Sequence, residues 1–239
     1  MFRAHCLRNF LLCLFIFLVS ATLCFGQSFS DDFNRADGPV GNGWSLWGNG
    51  AVILGDQLET FGQPNVAGGV ARPIPVAFPI MFSFDFRTDA PGDGGWSIGF
   101  NAELADNPVC CAQHSNPEYA LSQYNGGAQL SYTYRNSSGT QFVQVPLVAG
   151  QEQYQSAALS HISGTVNADL SSVVTITYPD AAHVTISLPA PPDAIISPQG
   201  PWLSLGNSNA TYGPHFLDNL VVVSLGDYLS ASWFYWYVL

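Results

Sequence analysis

The sequence predicts an all-β fold, an antiparallel two-sheet jelly-roll sandwich preceded by a signal peptide. Period-two alternation of apolar and polar residues recurs along the chain, and turn signals separate the alternating segments. No apolar repeat at helical spacing follows residue 27, and nothing suggests the β-α alternation of a parallel sheet. Because neither a linker nor an internal repeat divides the chain, we expect one domain over residues 27–224.

Residues 1–26 have the layout of a secretory signal peptide. Arg3 and Arg8 give a positively charged start, residues 10–19 are an apolar run, and small residues follow near Gly26. The run is short for a membrane span of about 20 residues. A retained membrane anchor is therefore the less favoured alternative. We expect cleavage near Gly26 and a mature protein that is secreted or lies in the periplasm or cell envelope.

The clearest predicted strand is residues 80–87. Its apolar side chains alternate strictly with Met81, Ser83, Asp85 and Arg87, so one face is expected to be buried and the other exposed. Turn signals such as residues 125–127 and 136–139 separate other strands as hairpin connections do. Further alternating or β-branched segments predict strands at residues 96–101, 129–135, 173–178, 183–188 and 216–224.

The composition excludes several function classes. The chain has no lysine, so it has no Walker-type phosphate loop, Schiff-base enzyme or Ser-Lys hydrolase. Its formal net charge of −11 argues against a nucleic-acid partner. Removal of the signal peptide would take away Arg3 and Arg8 and no acidic residue. Four arginines would then stand against seventeen acidic residues, which favours an uncharged ligand or a cation over a polyanion.

Both ends of the predicted domain carry a family resemblance. Residues 30–44 (SDDFNRADGPVGNGW), residues 51–58 (AVILGDQL) and residues 216–222 (FLDNLVV) resemble the opening and closing segments of secreted bacterial domains. These domains belong to the concanavalin A-like lectin/glucanase superfamily and are laminin-G-like jelly rolls. The resemblance covers about residues 28–224. It implies the fold more specifically than an activity, because this fold is shared by lectins, glycosidases, lyases and adhesion modules.

The sequence does not show the catalytic motifs of that superfamily. The Glu-x-Asp-x-x-Glu motif of jelly-roll glucanases is absent, and the Tyr-x-Lys signature of the lyases requires lysine. Asp85 and Asp89 could share a strand face, but Arg87 lies between them, and an Asp-Arg pairing is the simpler interpretation. These observations favour a protein without catalytic activity and leave a glycan-acting hydrolase as the alternative.

The resemblance and the composition together predict a carbohydrate-binding protein. Aromatic rings stack on sugar faces while polar side chains bond sugar hydroxyls, and the expected ligand is a neutral polysaccharide or glycoconjugate. For any one ring, burial in the core is the alternative, and a protein-binding adhesion or envelope module is the second class of function. The candidate binding residues are Trp44, Trp47, Asp85, Arg87, Asn101, Tyr124 and Arg135.

Asp32 and Asp218 are candidate calcium ligands. If the first and last strands pair, as is common in jelly rolls, these two acids converge. Oxygen donors of this kind suit Ca²⁺, and many members of the resembled superfamily bind a structural calcium ion there. Capping and turn roles are the alternative for both residues.

Cys110 and Cys111 are a candidate disulfide, because exported thiols tend to pair. Adjacent Cα atoms are only about 3.8 Å apart, so a bond between them would close a strained ring. Free thiols and a metal site that includes His114 are the alternatives to this disulfide. Residues 225–239 form an aromatic tail of unassigned role, and its final seven apolar residues are too few to span a bilayer.

Overall fold

The computed structural model describes residues 28–61, 67–74, 78–89, 95–101, 117–124, 129–147, 158–195, 202–207 and 214–225. The predicted signal peptide, the tail beyond residue 225, and Cys110 and Cys111 lie outside these ranges. Within them there is no helix, and so none long and apolar enough to cross a membrane.

The strands of the described residues are β1 (Ser28–Asp31), β2 (Ser45–Gly48), β3 (Ala51–Leu54), β4 (Gln57–Thr60), β5 (Gly68–Pro73), β6 (Ile80–Thr88), β7 (Trp96–Asn101), β8 (Pro117–Tyr124), β9 (Gln129–Asn136), β10 (Gly139–Pro146), β11 (Ser160–Val166), β12 (Ser172–Thr177), β13 (His183–Leu188), β14 (Trp202–Asn207) and β15 (His215–Ser224).

These strands form two antiparallel sheets, as the sequence predicts. The eight-stranded sheet has the order β13-β12-β11-β6-β15-β4-β3, and β1 also pairs with β15. The seven-stranded sheet has the order β10-β9-β8-β7-β14-β5-β2. Strands that are neighbours in a sheet are often distant in sequence. The first strand, β1, for example, pairs with the last strand, β15. This connectivity is that of a jelly-roll sandwich.

The core lies between the sheets and is filled by the alternating apolar residues. In β6 the side chains of Phe84 and Phe86 are fully buried, whereas Met81 on the opposite face is 48% exposed. The ring of Trp96 meets Phe84 edge-on, with 5.4 Å between centroids. The strict period of β6 therefore predicted its buried face correctly.

Asn207, the last residue of β14, joins the two sheets where three of their strands begin or end. Its Oδ1 accepts a 2.9 Å hydrogen bond from the backbone N–H of Gly68, and its Nδ2 donates to Thr60 Oγ1 at 3.3 Å. Its side chain is fully buried. Because β14 and β5 belong to one sheet and β4 to the other, this amide satisfies buried polar groups from both layers.

β15 occupies the middle of the eight-stranded sheet. One edge pairs with β6, while the other pairs with β4 over His215–Leu217 and then with β1 over Leu220–Val223. The predicted pairing of first and last strands is thus confirmed. As a result, side chains from four sequence-distant strands share one outward face around β15.

Candidate functional site

A β-bulge in β15 sets the geometry of that outward face. Asp218 pairs with Asp85, but the next regular pair is Val221 with Ser83, so β15 carries one extra residue. Asn219 takes up the irregularity with φ of 50°, a left-handed conformation that asparagine tolerates better than most residues. The bulge places two consecutive polar side chains, Asp218 and Asn219, beside Asp85.

Asp85 is the centre of a hydrogen-bonded group. His161 Nδ1 on β11 lies 2.7 Å from Asp85 Oδ1, and Asn219 Nδ2 donates to Asp85 Oδ2 at 2.8 Å. The backbone N–H of Asn219 donates to Asp218 Oδ1, also at 2.8 Å. The side chain of Asp85 keeps 21% of its surface exposed, so the carboxylate is positioned by its neighbours and still reaches solvent.

Arg87 is held away from this group. Its guanidinium lies 3.8 Å from the centroid of the Phe216 ring, donates to Asp89 Oδ1 at 3.0 Å, and donates to Gln57 Oε1 at 3.2 Å. The pairing of arginine with a neighbouring aspartate, which the sequence predicts, is made with Asp89 rather than Asp85. In the part of the chain that the structure describes, the carboxylates of Asp85 and Asp218 therefore have no guanidinium partner.

Two carboxyl groups on this face have raised pKa values, chiefly because they are partly buried and secondly because other carboxylates lie near them. Burial raises the pKa of Asp218, and the charges of Asp85 and Asp32 raise it further, against hydrogen bonds from the backbone of Asn219 and from Gln57. Burial also raises the pKa of Glu59, and the charge of Asp89 adds to the effect while Arg87 opposes it. We call the carboxylates of Asp32, Asp85 and Asp218, which interact electrostatically, the acidic cluster. Glu59 and Asp89 form a second acidic pair beside Arg87.

An open groove with a volume of about 430 Å³ adjoins the acidic cluster. It lies on the outward face of the eight-stranded sheet, and His161 joins the two regions because it lines the groove and contacts Asp85. Apolar side chains give the groove a partly exposed floor, with Met81 48% and Val221 40% exposed. Its lining residues are Met81, Phe82, Ser83, His161, Ser163, Gly164, Thr165, Val173, Thr175, Val221 and Val223.

Trp44, one of the predicted sugar-binding residues, has its indole in the core. Trp44 is 9% exposed, and its Nε1 donates to Asp31 Oδ2 at 2.8 Å. Arg35 makes a bidentate contact with the same carboxylate at 3.1 and 3.0 Å, and Asn42 donates to it at 3.0 Å. The N-terminal motif that carries the family resemblance is thus a structural unit around a buried carboxylate.

Trp47 is also buried, at 3% exposure, so it offers no free ring face to a sugar. Its Nε1 donates to the carbonyl of Val70 at 3.0 Å. The ring rests on Gly69 and Gly206, where an added Cβ would come within 2.8 and 2.6 Å of Trp47 Cζ2. Sequence gives no sign of this packing, because the two glycines lie on different strands.

The remaining predicted binding residues do not converge on one surface. Asp85 and Arg87 lie on the eight-stranded sheet, whereas the exposed Arg135 lies on β9 of the seven-stranded sheet. Asn101 and Tyr124 belong to β7 and β8 of that second sheet, and their side chains lie outside the described part of the structure. The sequence therefore combined residues from both sheets into a single expected site.

The two predicted calcium ligands are close enough to interact electrostatically, since Asp32 acts on the pKa of Asp218. In the described ranges, however, no three His, Cys, Asp or Glu residues are grouped so that they could hold a metal ion. Asp32 Oδ1 accepts a 3.2 Å hydrogen bond from the backbone of Asn34, which is a turn role. Calcium takes six to eight oxygen ligands, so a site here would need oxygen atoms beyond these two carboxylates.

His161 and Gln57 are site residues that sequence analysis missed. The period-two pattern of β11 could have placed His161 on an outward face, but not beside Asp85, because 76 residues separate them. The seven-stranded sheet presents a different outward face. Near its centre the described side chains are small and buried: Ser97, Ala120, Ser122, Ser131 and Ser204. Trp47 and Trp202 pack beside them against Ala71 and Ala120, and Arg135 is exposed on β9.

The sequence matches no protein-family model, and no curated protein is similar to it in sequence. Solved structures define the class: the chain has the concanavalin A-like lectin/glucanase fold. It is similar to lectin II from Ulex europaeus, with a TM-score of 0.55, 16% identity, and coverage of 82% of this chain and 97% of that one. It also resembles a lectin from Bauhinia forficata in complex with GalNAc (TM-score 0.54, 11% identity, 84% and 100% covered). A third similar structure is β-agarase B from Zobellia galactanivorans (TM-score 0.52, 10% identity, 83% and 93% covered).

Proposed function

We propose that this protein is a secreted, non-catalytic carbohydrate-binding module and that glycan binds in the groove of the eight-stranded sheet. The observation that carries the proposal is the groove itself. Its volume of about 430 Å³ falls in the range of about 300–1,000 Å³ typical of small-molecule sites. The fold that it shares with lectins supports the same class of function without identifying the sugar.

The lining of the groove matches the two sides of a sugar. Aliphatic side chains such as Met81 and Val221 offer a surface for the apolar face of a pyranose ring. Hydroxyls of Ser83, Ser163 and Thr175 can both donate and accept hydrogen bonds, as sugar hydroxyls do. Because the groove is open, it suits one stretch of a longer glycan chain better than an enclosed monosaccharide.

The experiment is glycan-array screening of the secreted protein, followed by calorimetric titration of the best ligand. Ser163→Tyr would fill the middle of the groove and is expected to weaken binding at least tenfold. Gln144→Tyr places the same ring on β10, at an exposed position of the other sheet, and should bind like the wild type. Equal affinity of the two variants, or the capture of protein but no glycan, would overturn the proposal and favour an adhesion module.

A glycan-acting hydrolase is the second candidate, and one observation favours it. Asp85 and Asp218 are cross-strand partners, and a raised pKa such as that of Asp218 is what a general acid needs. Hydrogen bonds from His161 and Asn219 to Asp85 favour a fixed, structural carboxylate instead. Release of reducing ends from the bound glycan, abolished in Asp218→Asn, would establish hydrolysis and reject the non-catalytic assignment.

A structural calcium ion at Asp32 and Asp218 remains a separate prediction of the resemblance. Calcium that binds only the folded state would raise the melting temperature by mass action. Thermal unfolding with excess Ca²⁺ and with chelator tests it, and Asp32→Asn is the matched variant. Identical melting temperatures under the two conditions would leave Asp32 its turn role alone.

A further inference from the structure

We propose that the groove prefers a glycan that carries free amino groups, namely a chain of glucosamine-type residues, over neutral and acidic glycans. This inference rests on the proposed function and names the ligand class of the same site. Its basis is the position of the acidic cluster at one end of the groove, where the carboxylates would interact with a charged substituent of a bound sugar.

The groove and the acidic cluster are continuous along β6. Successive outward residues of this strand are Met81 and Ser83, which line the groove, followed by Asp85. Outward neighbours on a strand are about 6.5 Å apart, since each residue advances about 3.3 Å. On β15 the same step runs from Val221, in the groove, across the bulge to Asp218. A glycan longer than one sugar unit that lies along these strands would therefore reach both carboxylates.

The charge at that end is negative and only partly balanced. Arg87 is the one arginine described on this face, and its guanidinium is engaged by Asp89, Gln57 and the Phe216 ring. Asp85 contacts His161 and Asn219 but no arginine. The described arginines outside this face are Arg35, paired with Asp31, Arg72, stacked on Phe29, and Arg135 on the other sheet.

The pKa shifts support the same conclusion independently of any ligand. Burial is the largest cause of the raised pKa values of Asp218 and Glu59. The charges of Asp85 and Asp32 raise the pKa of Asp218 further, and the charge of Asp89 raises that of Glu59. A site where carboxylates repel one another is a site where an added ammonium group is stabilised and an added carboxylate or sulfate is repelled. Each carboxylate oxygen has two lone pairs, so Asp85 can accept an ammonium hydrogen while it keeps its present contacts.

The experiment compares three short oligomers of equal length in calorimetric titrations with the full secreted protein: β-1,4-linked glucosamine, its N-acetylated form, and a uronate. We expect the glucosamine oligomer to bind at least tenfold more tightly than the N-acetylated one, and the uronate to bind most weakly. The preference should shrink as salt is raised, because exposed charges are screened. An equal affinity for the glucosamine and N-acetylated oligomers, or tighter binding of the uronate, overturns the proposal.

Amino-acid variants distinguish binding at this site from a general attraction of the cationic glycan to the negative net charge of the protein. Asp85→Asn and Asp218→Asn should each reduce the ratio of glucosamine to N-acetylated oligomer affinity at least threefold. Asp193→Asn removes the same charge near Asn136, away from the groove, and should keep the preference. An equal effect of Asp193→Asn would overturn the proposal. Failure of every oligomer to bind would also overturn this proposal, whereas the proposed carbohydrate-binding function itself is rejected only if the array shows no glycan ligand.

Discussion

The side-chain amide of Asn219 donates a 2.8 Å hydrogen bond to Oδ2 of Asp85, a contact between neighbouring strands that the bulge in β15 makes possible. In a regular strand, residue 219 would face the core, and the next outward side chain would be that of residue 220. The extra residue turns Asn219 outward next to Asp218, while Leu220 stays fully buried. The bulge thus brings Asp218 and Asn219 beside Asp85, while the core beneath them stays packed.

We expect Asn219→Ala to lower the free energy of unfolding by about 1–3 kcal/mol. Alanine tolerates the left-handed conformation poorly and loses the amide contact. Asn219→Gly adopts this conformation readily and loses only a partly exposed hydrogen bond, so its loss should stay below about 1 kcal/mol. Urea unfolding measures both variants. Equal losses would show that the left-handed backbone of residue 219 does not limit stability.

Asp218→Asn is expected to stabilise the protein at pH 7 and not at pH 3. Burial and the charges of Asp85 and Asp32 raise the pKa of Asp218 above its ordinary value of 3.8, so the folded state favours the protonated carboxyl. The stability that this carboxyl contributes is complete below about pH 3.8 and is lost as pH rises through the folded pKa. Asparagine does not ionise and escapes this loss, for a gain within about 1 kcal/mol.

Thermal unfolding of wild type and Asp218→Asn at the two pH values tests this expectation. Asp193→Asn, at an exposed turn, is the matched control and should follow the wild type at both values. A difference between Asp218→Asn and wild type that is the same at pH 3 and pH 7 would contradict the assigned cause.

The sequence was sufficient for the layers of the fold and insufficient for the site. Alternation in β6 predicted which residues are buried, because a strand has a fixed period and one sheet face must leave water. The bulge in β15 breaks that period at Asn219, and nothing in the segment FLDNLVV marks it. The contact between His161 and Asp85 depends on which strands become neighbours, which is set by the whole chain.

Exposure of aromatic rings was the least predictable property. Trp44 and Trp47 lie in a glycine-rich segment with few apolar neighbours, a pattern typical of surface loops. Trp44 is buried because the carboxylate of Asp31 accepts its N–H, and Trp47 because Gly69 and Gly206 leave room for its ring. Both reasons depend on partners from other strands.

Asp31→Asn should destabilise the protein by about 2 kcal/mol at pH 7 and by less in acid. Burial acts to raise the pKa of Asp31, but hydrogen bonds from Arg35, Trp44, the backbone of Phe33 and Asn42 outweigh it and hold the pKa below 3.8. The stability from the ionised carboxylate is therefore present above about pH 4 and is lost as pH falls through the folded pKa. The estimate follows from hydrogen bonds to charged groups, at about 1.5–3 kcal/mol each.

Urea unfolding of wild type and Asp31→Asn between pH 7 and pH 2 measures this difference. The neighbouring Asp32→Asn is the control, because Asp32 is exposed and asparagine can keep its turn contact to Asn34. Its effect should be within about 0.5 kcal/mol at pH 7. If the gap between wild type and Asp31→Asn stayed constant down to pH 2, the carboxylate would not be the source of the stability.

Trp47→Phe is expected to reduce stability without changing glycan affinity. Phenylalanine keeps a ring over Gly69 and Gly206 but loses the hydrogen bond to Val70 and part of the buried surface, at a cost of about 1–3 kcal/mol. Gly206→Ala should destabilise by a similar amount, because its Cβ would lie 2.5 Å from the carbonyl oxygen of Gly68. Melting temperatures and titrations well below them measure the two effects separately. Lost affinity in Trp47→Phe at an unchanged melting temperature would restore Trp47 as a sugar-binding residue and move the site to the seven-stranded sheet.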